Sequence, residues 1–316
     1  MKSFLIKNKR NMRVEILDWG CRIVSIRVPD RNGKLIDTVL KYKNIADYKK
    51  DKHYLGSTVG RYANRIENGK FNLHDSGIQL SQNESGKNHL HGGFIGFDKK
   101  YWNLTSHTEN SIEMQILSPA GDEGYPGNLT VDVRYEVSED NILTIDYHAK
   151  ADEATLVNIT NHSYFNLSDN RDSIDSHELQ VNAEYYTPLS DGHLPVPPYR
   201  KKVKDTIYDL TELRPIDTLK EEIGNINYCM DPTDEIRRVA TIKDIESGRR
   251  MTISSDYPGI QVYFGNYLSG DFKPFQGMCC EPHYFPNSPN INIYPSALLL
   301  PGDHYEHRIK YSFENF

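Results

Sequence analysis

Between Leu129 and Val137 apolar and polar residues alternate without a break. Leu129, Val131, Val133, Tyr135 and Val137 fall on one side of an extended chain, and Thr130, Asp132, Arg134 and Glu136 on the other. Period two predicts a strand with one face in a core and one toward solvent. A turn at Ser138-Glu139-Asp140-Asn141 leads into Leu143, Ile145, Tyr147 and Ala149, again at period two. Thr155 to Phe165, rich in β-branched and aromatic residues, and Ile260 to Leu268 predict further strands. Asn32-Gly33, Asn68-Gly69 and Ser247-Gly248 sit between extended segments, where a tight hairpin turn needs residues that tolerate positive φ. Helical candidates are short, around Ile45 to Lys52 and Asp217 to Ile223. Strands that never alternate with long amphipathic helices argue against a parallel α/β sheet. Proline clusters at Pro195 to Pro198 and Pro286 to Pro289 mark loops, and no repeat or linker divides the chain. The expectation is an all-β fold, one large antiparallel domain over residues 1–316.

Composition narrows the classes. The hydrophobic fraction is 37%, with 21 Tyr, 11 Phe and 2 Trp, which is enough for a sizeable core and excludes a disordered chain. A formal net charge of -7 leaves no basic surplus, so nucleic acid is not expected as a partner. No apolar run approaches the roughly 18 residues that span a bilayer, and the apolar stretch in Met1 to Lys7 is too short for a signal peptide. Cys21, Cys229, Cys279 and Cys280 make no disulfide framework in 316 residues. A cytoplasmic protein, without membrane partner, is expected.

Four segments concentrate polar residues with Gly, aromatics and Pro. Gly60-Arg61-Tyr62-Ala63-Asn64-Arg65-Ile66 sets an Arg fork beside an amide, suited to hydroxyl or carboxylate recognition. Taken alone, a surface salt bridge is the plainer reading. Asn88-His89-Leu90-His91-Gly92-Gly93, followed by Gly96-Phe97-Asp98, places two histidines on one strand face, weak evidence for a metal. The glycines permit close approach of a ligand or another backbone. In Thr160 to Leu167, His162 among aromatics is either a satisfied core residue or a group that titrates near neutral pH. In Cys280 to Asn290, Glu281 lies in an apolar, proline-bounded stretch where a carboxylate is expensive without partners. The two adjacent cysteines read as core, and His304-x-x-His307 as solvated surface. Phosphate-cradling loops, a Gly-x-Ser-x-Gly elbow and Cys-x-x-Cys are absent. The inventory is an acid/base set on a β scaffold, and it does not choose a reaction.

Together the segments resemble the aldose 1-epimerase (galactose mutarotase) family. Asn64-Arg65-Ile66 with Gly69-Lys70-Phe71, Leu90-His91-Gly92-Gly93 with Gly96-Phe97-Asp98, Asn161 to Leu167, Gly259 to Tyr263 with Gly265-Asn266, and Cys280-Glu281-Pro282 through Asn290 occur in the family's order. The resemblance implies a large β-sandwich of the galactose mutarotase type, acting on free aldohexoses such as galactose and glucose with no metal or cofactor, as monomer or homodimer. It implies Glu281 as general base and His162 as general acid, with Asn64, Arg65, His91 and Gln261 holding the sugar. His89 falls outside the match and is expected to be structural. The chain departs from the family at three places. Asn225, or Asn227 if the alignment shifts, stands where a sugar-binding Asp is usual; His283 replaces a Gln, and Asn287 an Asp. Two other readings remain at this point: a non-catalytic sugar-binding β-sandwich, and a glycoside hydrolase or lyase. The latter needs a second carboxylate opposite Glu281, with Asp98 or Asp256 the candidates.

Overall fold

The structure, a computed structural model, describes all residues except His74, Asp75 and Asn170. Leu129–Val137 is a strand whose odd positions are buried and even positions half-exposed, as the alternation requires. It pairs in register with Ile142–Ala151, which pairs in turn with Tyr305–Asn315. Among the described residues these belong to a nine-stranded antiparallel sheet that continues through Arg249–Ser255, Arg237–Asp244, His177–Val181 and Arg214–Pro215. Its other flank is Ser111–Ser118 and Asn103–His107. A four-stranded meander covers Ser3 to Asp37. A five-stranded sheet runs in the order Lys201–Lys202, Tyr185–Tyr186, Asn225–Cys229, Gly259–Tyr263, Cys279–His283.

One buried cluster joins the sheets. Val131, Val133 and Tyr135 from the large sheet, and Ile226, Tyr228, Ile260, Val262 and Cys280 from the five-stranded one, belong to it. Each of those strands turns its other face away from this core. For Gly259–Tyr263 and Cys279–His283, that other face is also buried apart from a half-buried Tyr263. No described helix is long and apolar enough to cross a membrane.

Four sequence expectations need correction. Asn68-Gly69 does not close a hairpin: Arg65–Ile66 pairs with His89–Leu90, and Lys70–Leu73 with Ser76–Gln79. Thr155 to Phe165 holds only two short strands, Thr155–Leu156 and Thr160–Asn161; its β-branched and aromatic residues are buried as the path bends between sheets. The strand from Gly259 ends at Tyr263 rather than Leu268, because Gly265 turns the chain with φ 71°. His307 is not solvated surface. It lies in the central Tyr305–Asn315 strand and stacks on Tyr257, ring centroids 4.0 Å apart. The two short helical segments are present as a 3-10 turn at Ile45–Lys50 and one α-helical turn at Lys220–Ile223.

Candidate active site

Antiparallel register places Asn227, Gln261 and Glu281 opposite one another, and Asn225, Tyr263 and Cys279 in a neighbouring row. Directly opposed residues share a face, so the same strands that send Val262 and Cys280 into the core send Gln261 and Glu281 the other way. They form the floor of a cavity of about 210 Å³, smaller than the roughly 300–1,000 Å³ of drug-sized pockets. Asn64, Arg65, His91, His162, Asn225, Gln261 and Glu281 all line it.

His162 leaves the end of the Thr160–Asn161 strand, which pairs with Thr58–Val59. Its backbone is held on both sides: its N–H donates to the Ser57 carbonyl at 2.9 Å, and its carbonyl accepts the Gly56 N–H at 2.9 Å. The imidazole Nε2 lies 3.7 Å from Glu281 Oε2, and Nδ1 lies 3.5 Å from Cys279 Sγ. The rings of Tyr54, His91 and Tyr164 surround it at 5.2–5.8 Å. Burial pushes His162 down to about 4, so the ring is neutral at pH 7.

His91 is locked to Asn64 by a reciprocal pair of hydrogen bonds. The His91 N–H donates to the Asn64 carbonyl at 3.1 Å, and the Asn64 N–H donates to His91 Nδ1 at 3.2 Å. With Nδ1 accepting, the ring proton sits on Nε2, and His91 is a neutral N–H donor. Burial, with His162 and Arg65 adding to it, holds its pKa well below the usual value. The next residue must be Gly: Gly92 has φ 87°, and a Cβ there would stand 1.8 Å from the Gly60 carbonyl oxygen. Asn64 Nδ2 donates to Gln261 Oε1 at 3.1 Å, and Gln261 Nε2 donates to Asn225 Oδ1. One amide chain thus crosses the cavity.

Arg65 is both the salt bridge and the cavity wall that its segment allowed. Its Nε and Nη2 donate to the Glu84 carboxylate at 2.6–3.0 Å, so its charge arrives neutralised and its orientation fixed. Of the two candidate positions for the family's Asp, Asn225 lines the cavity, whereas Asn227 is wholly buried and donates to Thr187 Oγ1 at 2.9 Å. His283 and Asn287 lie away from the cavity: His283 bonds its neighbour's carbonyl, and Asn287 Oδ1 accepts the Glu67 N–H. His89 is held by the Tyr125 hydroxyl at 2.7 Å and the Ser81 carbonyl at 2.8 Å, a structural role. Asp98 and Asp256 are absent from the cavity wall, where Glu281 is the one carboxylate among the described residues.

Sequence reasoning missed several wall residues. Tyr263 stands two positions after Gln261 on one strand, so periodicity could have found it; Tyr164 lies beyond the end of the Thr160–Asn161 strand, where no such pattern holds. Lys52, His53, Tyr54 and Tyr267 arrive from loops, and no sequence signal marks them. Tyr54 is delivered by Asp51, whose carboxylate accepts from Arg22 Nη1 (2.6 Å), the Tyr42 hydroxyl (3.0 Å) and the N–H groups of His53 (3.0 Å) and Leu55 (2.8 Å). Burial alone would raise Asp51, but the Arg22 charge and these hydrogen bonds outweigh it and hold the group below its usual value.

Glu281 is 2% exposed, and its Oε2 has no hydrogen-bond partner among the described residues. Burial alone pushes it up to about 8. At neutral pH the sugar-free floor therefore carries a protonated carboxyl beside a neutral imidazole, with a second neutral imidazole as donor. That set can take a proton from one oxygen and give one to another nearby.

Residues 2–312 match the family described as aldose 1-epimerase. The chain is 36% identical to galactose mutarotase of Mus musculus over 315 residues, covering 96% of this chain and 91% of that protein. It is 30% identical to aldose 1-epimerase of Escherichia coli (strain K12) over 326 residues, 98% and 94% covered. A crystal structure of an aldose epimerase homologue from C. elegans superposes with a TM-score of 0.93 over 99% of each chain, at 28% identity.

Proposed function

The chain belongs to the aldose 1-epimerase family, and from that premise we propose how its site interconverts the α and β anomers of free aldohexoses. It is an isomerase. Glu281 and His162 carry the proton transfers, while Asn64, Arg65, His91, Gln261 and Asn225 hold the sugar. The observation that supports this reading most strongly is the approach of His162 Nε2 to within 3.7 Å of Glu281 Oε2, which has no hydrogen-bond partner among the described residues, on the cavity floor.

Anomerisation removes the proton of the C1 hydroxyl and protonates the ring oxygen. The bond from C1 to the ring oxygen breaks as the C1 carbonyl forms, the C1–C2 bond rotates, and reclosure reverses both transfers on the other face. No net proton is used, so one proton shared by two groups suffices. Burial keeps that proton on Glu281 in the sugar-free site. Sugar hydroxyls that enter replace the hydration the carboxylate lacks, and the proton passes to His162. Glu281 is then the ionised general base and His162 the general acid, each worth about 10²–10⁴-fold. The His91 N–H stabilises charge developing on oxygen.

Each proton transfer is supplied by the chain's own residues, so metal and cofactor are not required in this reading, and a chelator should leave the rate unchanged. The four buried cysteines, none disulfide-linked, suit a reducing cytoplasm. The chain-long family match supports a single domain over 1–316. Polarimetry of fresh α-D-glucose and α-D-galactose tests the function: the protein should speed the approach to equilibrium. A sugar binder without catalysis would leave that rate at the buffer value.

A further inference from the structure

The two adjacent cysteines have different surroundings because strand residues alternate in direction. Cys280 joins the central core, whereas Cys279 faces the same side as Glu281. Behind the cavity floor, Cys279 Sγ lies 3.5 Å from His162 Nδ1, and Glu281 Oε2 lies 3.7 Å from His162 Nε2. One donor atom from each of the three residues lies within 4.8 Å of the other two. Glu281 Oε2 is buried without a hydrogen-bond partner among the described residues, and His162 and Glu281 open onto the cavity.

Imidazole nitrogen, thiolate sulfur and carboxylate oxygen are the donors that borderline-soft divalent ions select, at about 2.0–2.3 Å from the metal. One ion takes a single ring nitrogen, so the Nδ1 and Nε2 contacts cannot both be metal bonds; the one donor atom of each residue, now within 4.8 Å of the other two, would have to draw in by roughly 1 Å around a tetrahedral ion. We infer that His162, Cys279 and Glu281 form an inhibitory binding site for Zn²⁺ or an ion of that class. Binding releases the Cys279 and Glu281 protons to solvent and occupies the carboxylate and one imidazole nitrogen, so the bound ion takes both proton carriers out of the reaction. The inhibition rests on the mutarotase reading; the binding does not. In the metal-free protein burial raises the Cys279 thiol well above its usual value, which leaves it neutral and a poor target for alkylation.

The test uses the whole protein, Zn²⁺ for inhibition of anomerisation and Co²⁺ as a spectroscopic probe. Zn²⁺ should inhibit, a chelator should restore the rate, and Co²⁺ should give the intense near-ultraviolet band of thiolate-to-cobalt charge transfer. Cys279→Ser should abolish that band and raise the half-inhibiting Zn²⁺ concentration at least about tenfold, each variant being compared with its own metal-free rate. Cys279→Ala serves the same purpose if Ser is not tolerated in a buried position. A Co²⁺ band in a protein without anomerase activity would support the metal site and refute the functional reading. Equal inhibition of wild type and both variants, or Co²⁺ spectra without thiolate character, overturns the site. Activation of chelator-treated protein by Zn²⁺ overturns the inhibitory role.

Discussion

Asp51 and Glu281 are both buried carboxyl groups, and their surroundings are opposite. Asp51 receives an arginine, a tyrosine hydroxyl and two backbone N–H groups. The Glu281 carboxyl, on the cavity floor, lies 3.7 Å from the His162 ring, and its Oε2 has no hydrogen-bond partner among the described residues. Accordingly one is held low and stays charged, and the other is pushed up to about 8 and keeps its proton. Burial is common to both; partners decide the sign. Asp51 spends its charge on shaping the loop that carries Tyr54, whereas the lone carboxyl remains free for a ligand.

The largest test of this contrast removes the satisfied member. Asp51→Ala leaves Arg22 buried and uncompensated, and unfolding free energy should fall by about 3–5 kcal/mol, measured by urea denaturation. An unchanged midpoint would show that the pair contributes nothing.

Glu281→Gln should do the reverse, keeping stability and losing chemistry. Turnover should drop about 10²-fold or more, roughly 2.7 kcal/mol in barrier, and His162→Asn should match it. Near-full turnover in the glutamine variant would falsify the assignment of Glu281 as proton carrier.

The two carboxyls also predict opposite pH slopes. The folded-state value of Glu281 is raised, so the stability of its protonated form is complete below the ordinary 4.5 and declines as pH rises to about 8. For Asp51 the folded value is lowered, and its contribution is present above the ordinary 3.8 and lost as pH falls through the folded value. Subtracting the unfolding free energy of Glu281→Gln from that of wild type at each pH isolates the first slope; a flat difference between pH 4.5 and 8 would remove it.

Activity follows the same proton. Because one proton is shared by Glu281 and His162, kcat/KM should be level between about 4 and about 8 and fall about tenfold per pH unit beyond either limb. A rate still climbing above pH 8 would mean that the fully deprotonated pair is active and that His162 is no donor.

The smallest effect concerns the rim. Asn225→Asp exchanges a neutral acceptor for a charged one, and charged hydrogen bonds are worth roughly 1.5–3 kcal/mol against about 1. A contact equally strong in substrate and transition state alters KM alone. KM for galactose and glucose should fall severalfold at similar kcat, and an unchanged KM would place Asn225 outside sugar contact.

Alternation along Leu129–Val137 was legible because a half-buried strand writes its two faces into neighbouring residues. The seven proposed site residues were legible as chemical types inside recognisable segments, and the fold brings all seven to one cavity. What sequence could not supply was partnership between distant segments. Asn68-Gly69 looked like a hairpin turn, yet its flanking strands pair elsewhere, since pairing depends on segments a local pattern does not contain. Nothing near Glu281 reveals whether an arginine neutralises it. Glu84 takes Arg65 instead, from a loop between short strands. Local sequence therefore determined periodicity, turn tolerance and donor types, which depend on adjacent residues. Tertiary structure decided which carboxylate is satisfied, which carboxyl is pushed up by burial and which cysteine meets His162, because solvation and electrostatics are set by neighbours in space.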